Sequence, residues 1–237
     1  VKFKVKDGKG ILDGEDASFV IWTTTPWTIP ANLAICLHPD YTYVLAKVDG
    51  ENLVLAKELL SSFMQAAGKK EAKIVKEMKG SDLEYITCRH PLFERESLVI
   101  LGDHVTLDAG TGCVHTAPGH GVEDFEVGQK YHLDILSPVD NKGRMTAEAG
   151  ERFAGMTLDE CNRAVCKELE EKNALEGFKL INHQYPHCWR CKHPIVFRAT
   201  EQWFCSIDGF REKALAEIDK VNWIPAWGHD RIYNMVR

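Results

Sequence analysis

The feature that most constrains the fold is a β-hairpin pattern in the first third of the chain. The apolar segments "YTYVLAKV" and "NLVLA" flank the dipeptide Asp49-Gly50. A two-residue hairpin turn needs positive φ angles, which Asp and Gly adopt readily, so this pattern predicts two antiparallel strands joined by a tight turn. "VKFKV" and "SFVIW" read as further strands, and the first third is therefore expected to be rich in strands and hairpins.

Helical patterns follow these strands. The sequence predicts a short amphipathic helix stopped by Gly68, a second helix over "VEDFEVGQKY" and a long helix over 158–174, where Thr157 and Glu160 have the spacing of a capping box. Strands mixed with helices predict an α+β fold, with a curled or barrel-like, mainly antiparallel β core and helices packed around it. Near residue 182 the sequence becomes aromatic, basic and cysteine-bearing, so we divide the chain into 1–182 and 183–237.

Composition excludes several classes of protein. A chain of 237 residues with 44% hydrophobic and 27% charged residues is ordinary for a globular protein with its own core. The net charge of −6 argues against a protein that coats nucleic acid non-specifically. No apolar run is long enough to span a bilayer, so no membrane partner is expected. The 8 cysteines lie mostly within apolar patterns and follow no leader, which favours reduced thiols and a cytoplasmic location. The direct start at Val1 is typical of an excised piece.

The stretch "IWTTTPWTIPAN" concentrates hydroxyls beside indoles. Four threonines within six residues provide short, directional hydrogen bonds, and the neighbouring tryptophans provide rigid apolar walls. Pro26 and Pro30 would fix the backbone that presents the hydroxyls. These features favour a binding surface, and the alternative is a threonine-rich turn beside two core tryptophans. The residues concerned are Trp22, Thr23, Thr24, Thr25, Trp27 and Thr28.

A second stretch, "AGTGCVHTAPGHGVEDF", combines glycines with ionisable groups. Its glycines would let a ligand approach the backbone closely. It does not fit a dinucleotide-binding fingerprint, which needs a third glycine where His115 stands and a helix where the proline stands. Two other chemistries stay open from the residues alone: a metal bound by His115, His120 and Glu123 or Asp124, and a Cys113 thiol nucleophile beside His115.

A third stretch, "HCWRCKH", carries Cys188 and Cys191 as a C-x-x-C pair. One such pair is half of a tetrahedral zinc site. The flanking histidines are too close in sequence to complete the site readily, and the chain has no second C-x-x-C. A metal bound within this chain stays open, and a structural zinc at these cysteines could also be completed by ligands outside it.

"WTTTPWTIPANLAI" followed by "GTGCVHTAPGHGVEDF" closely resembles the editing domains of isoleucyl-tRNA synthetases of the bacterial or organellar type. "YPHCWRCKHPIVFRATEQWF" resembles the segment that returns the chain from this insertion to the catalytic body. The resemblance covers essentially the whole chain. The corresponding motif of the valyl and leucyl relatives looks like T-T-R-P, and in this chain Thr25 stands at the position of the arginine. The synthetase signatures H-I-G-H and K-M-S-K-S are absent. The resemblance thus implies a domain that edits without activating amino acids, with 183–237 as the return segment to the catalytic body.

The resemblance also implies roles for individual residues. Asp124 matches the acid that pairs with the α-ammonium group of the substrate, and His115 matches a histidine beside the ester, either as a positioning group or as a general base. Thr25 would position a water together with His115, which makes Thr25, His115 and Asp124 the expected catalytic set. Cys113 stands where the family often has alanine, which argues against a thiol nucleophile. The expected substrate-binding residues are Trp22, Thr23, Thr24, Thr28, Asn32, Gly112, Ala117 and His120.

The implied function is hydrolysis of valine wrongly esterified to tRNA(Ile), with valyl-adenylate as a second candidate substrate and isoleucine excluded by its size. No cofactor is expected for this reaction. The implied partners are the tRNA(Ile) acceptor end and the rest of the synthetase, and the fragment itself is expected to be monomeric. Two alternatives remain: a module that binds the tRNA acceptor end without hydrolysis, and a metal-dependent hydrolase.

Overall fold

The computed structural model describes residues 1–182 and 184–237. The chain divides into two compact units, Val1–Ala199 and Thr200–Arg237. The sequence predicts a boundary after residue 182, and residue 183, the first of the return segment, lies outside the described residues. That boundary therefore stays a prediction.

The first unit is built on a sheet that has nine strands in the described part of the chain. The strands are β1 (Lys2–Asp7), β2 (Ala17–Val20), β3 (Ala34–Leu37), β4 (Thr42–Val48), β5 (Glu51–Ala56), β6 (Ala72–Lys79), β7 (Thr87–Arg89), β8 (Glu96–Leu101) and β9 (Val114–Thr116). Their order across the sheet is β6-β4-β5-β2-β1-β7-β8-β3-β9. All neighbouring pairs are antiparallel except β2 with β5 and β3 with β8, which are parallel.

The predicted hairpin is present and anchors one half of the sheet. β4 and β5 pair antiparallel up to Val48 opposite Glu51, and Asp49 and Gly50 have φ angles of 46° and 95°. Both φ angles are positive, as a tight two-residue hairpin turn requires. The prediction of an α+β fold with a mainly antiparallel β core is confirmed. The sheet is mixed and open, since its end strands β6 and β9 do not pair with each other among the described residues.

Five α-helices lie in the described residues. The long helix Leu158–Glu171 begins with the predicted capping box, in which Thr157 Oγ1 accepts from the Glu160 amide, and it ends three residues earlier than predicted. None of the described helices is long and apolar enough to cross a membrane. The helices are α1 (Leu60–Ala66), α2 (Val122–Lys130) and α3 (Leu158–Glu171) in the first unit, and α4 (Arg211–Ile218) and α5 (Trp227–Val236) in the second.

α3 holds the threonine-rich segment in place. This segment turns into a 3-10 helix, Pro26–Ala31, whose buried face packs on α3. The Trp27 amide donates to Asn162 Oδ1 at 2.8 Å, and Trp27 belongs to the same apolar cluster as Val165 and Leu169. The packing of Trp27 in this apolar cluster therefore fixes the segment, while its first residues remain accessible to solvent at the edge of the sheet.

Candidate functional site

The two unusual stretches of sequence meet in one pocket of about 350 Å³. β3, which follows the threonine-rich segment, pairs antiparallel with β9, which carries the second stretch. The Trp22 amide also donates to the Cys113 carbonyl at 3.4 Å, which places the start of the first stretch beside the second. The predicted site residues that line the pocket are Trp22, Thr23, Thr24, Thr25, Thr28, Gly112, His115, Ala117, His120 and Asp124.

The four threonine hydroxyls have different surroundings. Thr23 Oγ1 accepts from the Thr25 amide at 3.2 Å, and the buried Thr28 donates its hydroxyl to the Thr25 carbonyl at 2.8 Å. The hydroxyls of Thr24 and Thr25 have no hydrogen-bond partner in the described part of the chain. The pocket therefore offers two hydroxyls for a ligand, and Thr25 is one of them.

The hydrogen bonds around His115 fix its tautomer. Asn32 Nδ2 donates to the Ala34 carbonyl at 2.9 Å, so the amide presents its NH₂ group to His115 Nδ1 at 2.8 Å. Nδ1 is therefore an acceptor, and in the neutral ring the proton sits on Nε2. Nε2 lies 2.9 Å from Thr28 Oγ1, whose own proton goes to the Thr25 carbonyl. Nε2–H thus donates to Thr28, and both ring nitrogens are engaged.

His115 is a neutral, buried group in this arrangement. Burial lowers the pKa of His115 to about 3, with a smaller contribution from His120. The residue is only 8% exposed. Because each nitrogen already has a partner, the ring has no lone pair available for a proton from water. The geometry supports a positioning role, in which His115 braces Thr28 and through it the backbone of Thr25.

Asp124 brings a carboxylate into the same pocket. It lies in the first turn of α2, and its Oδ2 accepts from the Ala117 amide at 2.8 Å. Burial raises the pKa of Asp124 from 3.8 to about 6, against the opposing effect of the Ala117 amide. A carboxylate that has lost much of its hydration is stabilised by a cationic partner. The α-ammonium group of an aminoacyl ester has the required charge.

His120 and the glycines shape the pocket wall. His120 Nδ1 lies 2.9 Å from the Phe197 carbonyl, and its ring meets the buried Trp27 edge-on at 4.8 Å. Of the two tryptophans, Trp22 lines the pocket, and Trp27 lies in the core beside His120. Gly112 has a φ of 72°, and a Cβ there would lie 2.5 Å from the Ala56 Cβ, so only glycine fits.

Sequence reasoning missed several residues of the site. The segment "HVTLD" alternates polar and apolar residues, a pattern that could have identified its three pocket residues. Ser97 gave no such signal, because it opens an apolar strand, yet it is fully buried and donates to Asn32 Oδ1. Asn32 itself lies behind the pocket wall, as the link between Ser97 and His115. The missed pocket residues with polar side chains are His104, Thr106, Asp108 and Thr111.

The geometry does not favour the two other chemistries that the sequence left open. Burial raises the pKa of the Cys113 thiol well above 9.0, so the nucleophilic thiolate is disfavoured. For the metal set, both nitrogens of His115 are already hydrogen-bonded. Within residues 1–182 and 184–237 no three His, Cys, Asp or Glu side chains are grouped so that they could hold a metal ion.

The C-x-x-C pair offers two thiols of the kind that bind zinc, and the zinc itself stays a prediction. The Cys188 thiol accepts from the backbone amides of Cys191 and Arg190, which lowers its pKa and favours the thiolate that zinc requires. Lys192 follows with a φ of 64°, which closes a tight turn around the pair. The donor set fits zinc in kind but supplies only two of four ligands, so Cys188 and Cys191 would need two more from elsewhere.

Comparison with known proteins agrees with this geometry. Residues 1–181 match the family model described as leucyl-tRNA synthetase, editing domain. The solved editing domain of the P. knowlesi cytosolic leucyl-tRNA synthetase has the same fold, with a TM-score of 0.60 at 14% identity over 75% of this chain and 93% of that one.

Relatives with much higher identity are whole synthetases. The isoleucine–tRNA ligases of Moorella thermoacetica and Desulforamulus reducens are 60% and 62% identical to this chain over its whole length. The chain spans 25% of the length of each of these proteins. The chain therefore belongs to the family of synthetase editing domains, and it matches the editing insertion of isoleucine–tRNA ligases from end to end.

Proposed function

We propose that this chain hydrolyses valine esterified to the acceptor end of tRNA(Ile). The observation that carries the proposal is the buried Asp124 carboxylate, held by the Ala117 amide in the pocket that also presents the Thr24 and Thr25 hydroxyls. A charge-assisted hydrogen bond from the substrate's α-ammonium group to Asp124 would orient the ester beside these hydroxyls. The pocket volume of about 350 Å³ lies within the roughly 300–1,000 Å³ typical of small-molecule sites.

The reaction needs orientation more than strong chemical activation. An aminoacyl ester is already reactive, so holding a water against its carbonyl carbon supplies much of the acceleration. The Thr25 hydroxyl is available for the water or the ester, and the bonds from His115 to Thr28 and from Thr28 to Thr25 keep its backbone fixed. In this set Thr25 binds the water or the ester, and His115 holds the backbone of Thr25 in position through Thr28. Asp124 binds the substrate's α-ammonium group.

Physical chemistry explains why a synthetase for isoleucine needs a second site. Isoleucine exceeds valine by one methylene, and this difference gives an aminoacylation site only about 1–3 kcal/mol of discrimination, a figure known for isoleucyl-tRNA synthetases themselves. A second pocket that admits valine and excludes isoleucine by size completes the selection. We propose this role for the present pocket, with valyl-adenylate as a second substrate.

The test is a deacylation assay with valyl-tRNA(Ile) and isoleucyl-tRNA(Ile), each with and without a chelator. We expect loss of valine, retention of isoleucine and no effect of chelator, because the site residues form no metal-binding group in the described chain. If the chelator abolished hydrolysis of the valine ester, the result would support a metal-dependent hydrolase. If neither ester were hydrolysed, the assay would be repeated with this chain in place of its counterpart in a full-length isoleucine–tRNA ligase. The absence of hydrolysis there as well would support a module that binds tRNA without hydrolysing the ester.

The pH dependence of hydrolysis should report the ionisation of Asp124. Below its pKa of about 6 the carboxyl is protonated and no longer attracts the substrate ammonium, so kcat/KM is expected to fall as the pH drops through this value. The measurement is kcat/KM for valyl-tRNA(Ile) from about pH 5 to about pH 8 at constant ionic strength. An unchanged kcat/KM across this range would contradict the pairing.

The remaining roles follow from the same assignment. We propose that the partners are the tRNA(Ile) acceptor end and the rest of a cytoplasmic synthetase, and that the chain alone is monomeric. Editing itself would need no cofactor. A structural zinc at Cys188 and Cys191 would be completed by ligands beyond this chain, and zinc analysis of a longer protein that contains these cysteines tests it.

A further inference from the structure

Three histidines line the pocket, and they differ in which ring nitrogens are engaged. His115 has partners at both nitrogens. His104 has no hydrogen-bond partner at its buried Nε2 among the described residues, and no described hydrogen bond at Nδ1 that would set its tautomer. His120 combines one fixed nitrogen with one that is unpartnered, and this combination distinguishes it chemically from the other two.

The Phe197 carbonyl determines the tautomer of His120. A carbonyl oxygen can only accept, so the 2.9 Å contact places a proton on Nδ1. In the neutral ring the lone pair is then on Nε2. Nε2 is buried and has no hydrogen-bond partner in residues 1–182 and 184–237. His120 lines the pocket, and its Nε2 keeps a lone pair that no described group uses, so the ring is arranged to accept a proton there.

The ring of His120 is also fixed in space. Trp27 packs against it edge-on, and the residues that follow Phe197 make two further hydrogen bonds, one of them to Gly119 beside His120. The Ala199 amide donates to the Gly119 carbonyl at 2.8 Å, and Arg198 Nη1 donates to Asn141 Oδ1 at 2.9 Å. The segment 197–199 therefore positions His120, although it lies far from the pocket motifs in sequence.

The groups around His120 keep it uncharged. Burial lowers the pKa of His120, the Phe197 carbonyl opposes this effect, and the nearby Arg198 guanidinium lowers the pKa further. The other ionisable side chains that line the pocket are Asp124, His115, His104, Asp108 and Cys113. At neutral pH the ring is thus in the neutral form that a base must have.

We propose that His120, rather than His115, takes the proton from the attacking water, a role that rests on the proposed ester hydrolysis. The water oxygen bonds to the ester carbonyl carbon as its proton passes to Nε2. The bond from that carbon to the ribose oxygen then breaks, and the ribose oxygen takes the proton from Nε2. The products are valine and the free tRNA hydroxyl, and His120 returns to its neutral form.

The tautomers can be tested without any assay of activity. In ¹⁵N-labelled protein, long-range ¹H–¹⁵N correlations of the imidazole rings distinguish Nδ1–H from Nε2–H. We expect Nδ1–H for His120 and Nε2–H for His115 at neutral pH. Nε2–H at His120 would leave no lone pair at this nitrogen and would overturn the proposal.

The kinetic test uses His120→Asn. Asparagine can still donate to the Phe197 carbonyl from the position of Nδ1, but it has no group at Nε2. Since general-base catalysis contributes about 10²–10⁴-fold, we expect single-turnover hydrolysis of valyl-tRNA(Ile) to slow at least roughly 100-fold with an unchanged urea midpoint. The matched control is His132→Asn, at an exposed position whose φ of 54° suits asparagine. An unchanged rate in His120→Asn would overturn the proposal.

Chemical rescue separates a base from a positioning group. In His120→Ala, added imidazoles should restore hydrolysis, with rates that rise with the pKa of the added imidazole. Rescue that is absent, or independent of that pKa, would overturn the base role. Each variant is assayed in this chain and in a full-length isoleucine–tRNA ligase that carries it. Hydrolysis by the wild type in either protein upholds the proposed function, so a failure of His120 is distinguished from a failure of the whole assignment.

Discussion

Replacing Asp124 with asparagine is expected to lower kcat/KM for valyl-tRNA(Ile) hydrolysis by roughly 100- to 1,000-fold. Losing one member of a buried charge pair costs about 3–4 kcal/mol, and the asparagine cannot offer the negative charge that the substrate ammonium requires. Asparagine keeps the shape of the side chain and can still accept from the Ala117 amide, so the pocket should remain intact. The measurement is steady-state deacylation together with urea unfolding of the variant.

Glu123→Gln is the matched control for this prediction. Glu123 lies on the same turn of α2, and its substitution removes the same charge. Its side chain is exposed and does not line the pocket. Its kcat/KM should stay within about twofold of the wild type, because exposed charges interact weakly. Similar losses in both variants would mean that general electrostatics, and not a specific pairing, explains the effect of Asp124.

Asn32→Ala is expected to destabilise the fold by about 3 kcal/mol and to slow hydrolysis as well. Asn32 is fully buried and connects three groups: it donates to His115 Nδ1 and to the Ala34 carbonyl, and it accepts from Ser97. Alanine would leave these buried polar atoms without a hydrogen-bond partner. The free-energy cost of an unsatisfied buried polar atom exceeds the net contribution of its hydrogen bond to stability. Urea titration should show a lower midpoint with an unchanged m-value.

Ser97→Ala provides the comparison for Asn32. It removes only the last donor of the network and leaves His115 with both of its partners. We expect a loss of about 1 kcal/mol and near-normal hydrolysis. If Asn32→Ala cost no more than Ser97→Ala, the network would not be what fixes His115.

The sequence predicted the parts of the fold that depend on local chemistry. The Asp49-Gly50 turn needs positive φ, and the Thr157–Glu160 box caps its own helix, so neighbouring residues suffice to predict both. The two motifs also contain every side chain of the proposed catalytic set, because each motif is a continuous segment whose residue types are unusual for a core. Their convergence in one pocket agrees with the resemblance from which their roles were inferred.

The rest depends on contacts between distant segments. No local pattern could show that the Phe197 carbonyl bonds to His120, or that Ser97 completes the contacts of Asn32. The mixed sheet has the same origin: the parallel pairing of β3 with β8 is set by the path of the chain between them, and the strand sequences alone do not specify it. A backbone carbonyl carries no side-chain signal at all, so the orientation of His120 could be found only in three dimensions.

The central position of β1 has a consequence for how the protein is made. β1 lies between β2 and β7, so one of its edges has no partner until the chain has been synthesised beyond Arg89. Long-range pairing of this kind slows folding, and the local β4–β5 hairpin is expected to form before it. β9 is the last of the nine described strands to be made and joins at the edge of the sheet, so the wall that carries His115 is added after the other eight strands have been synthesised.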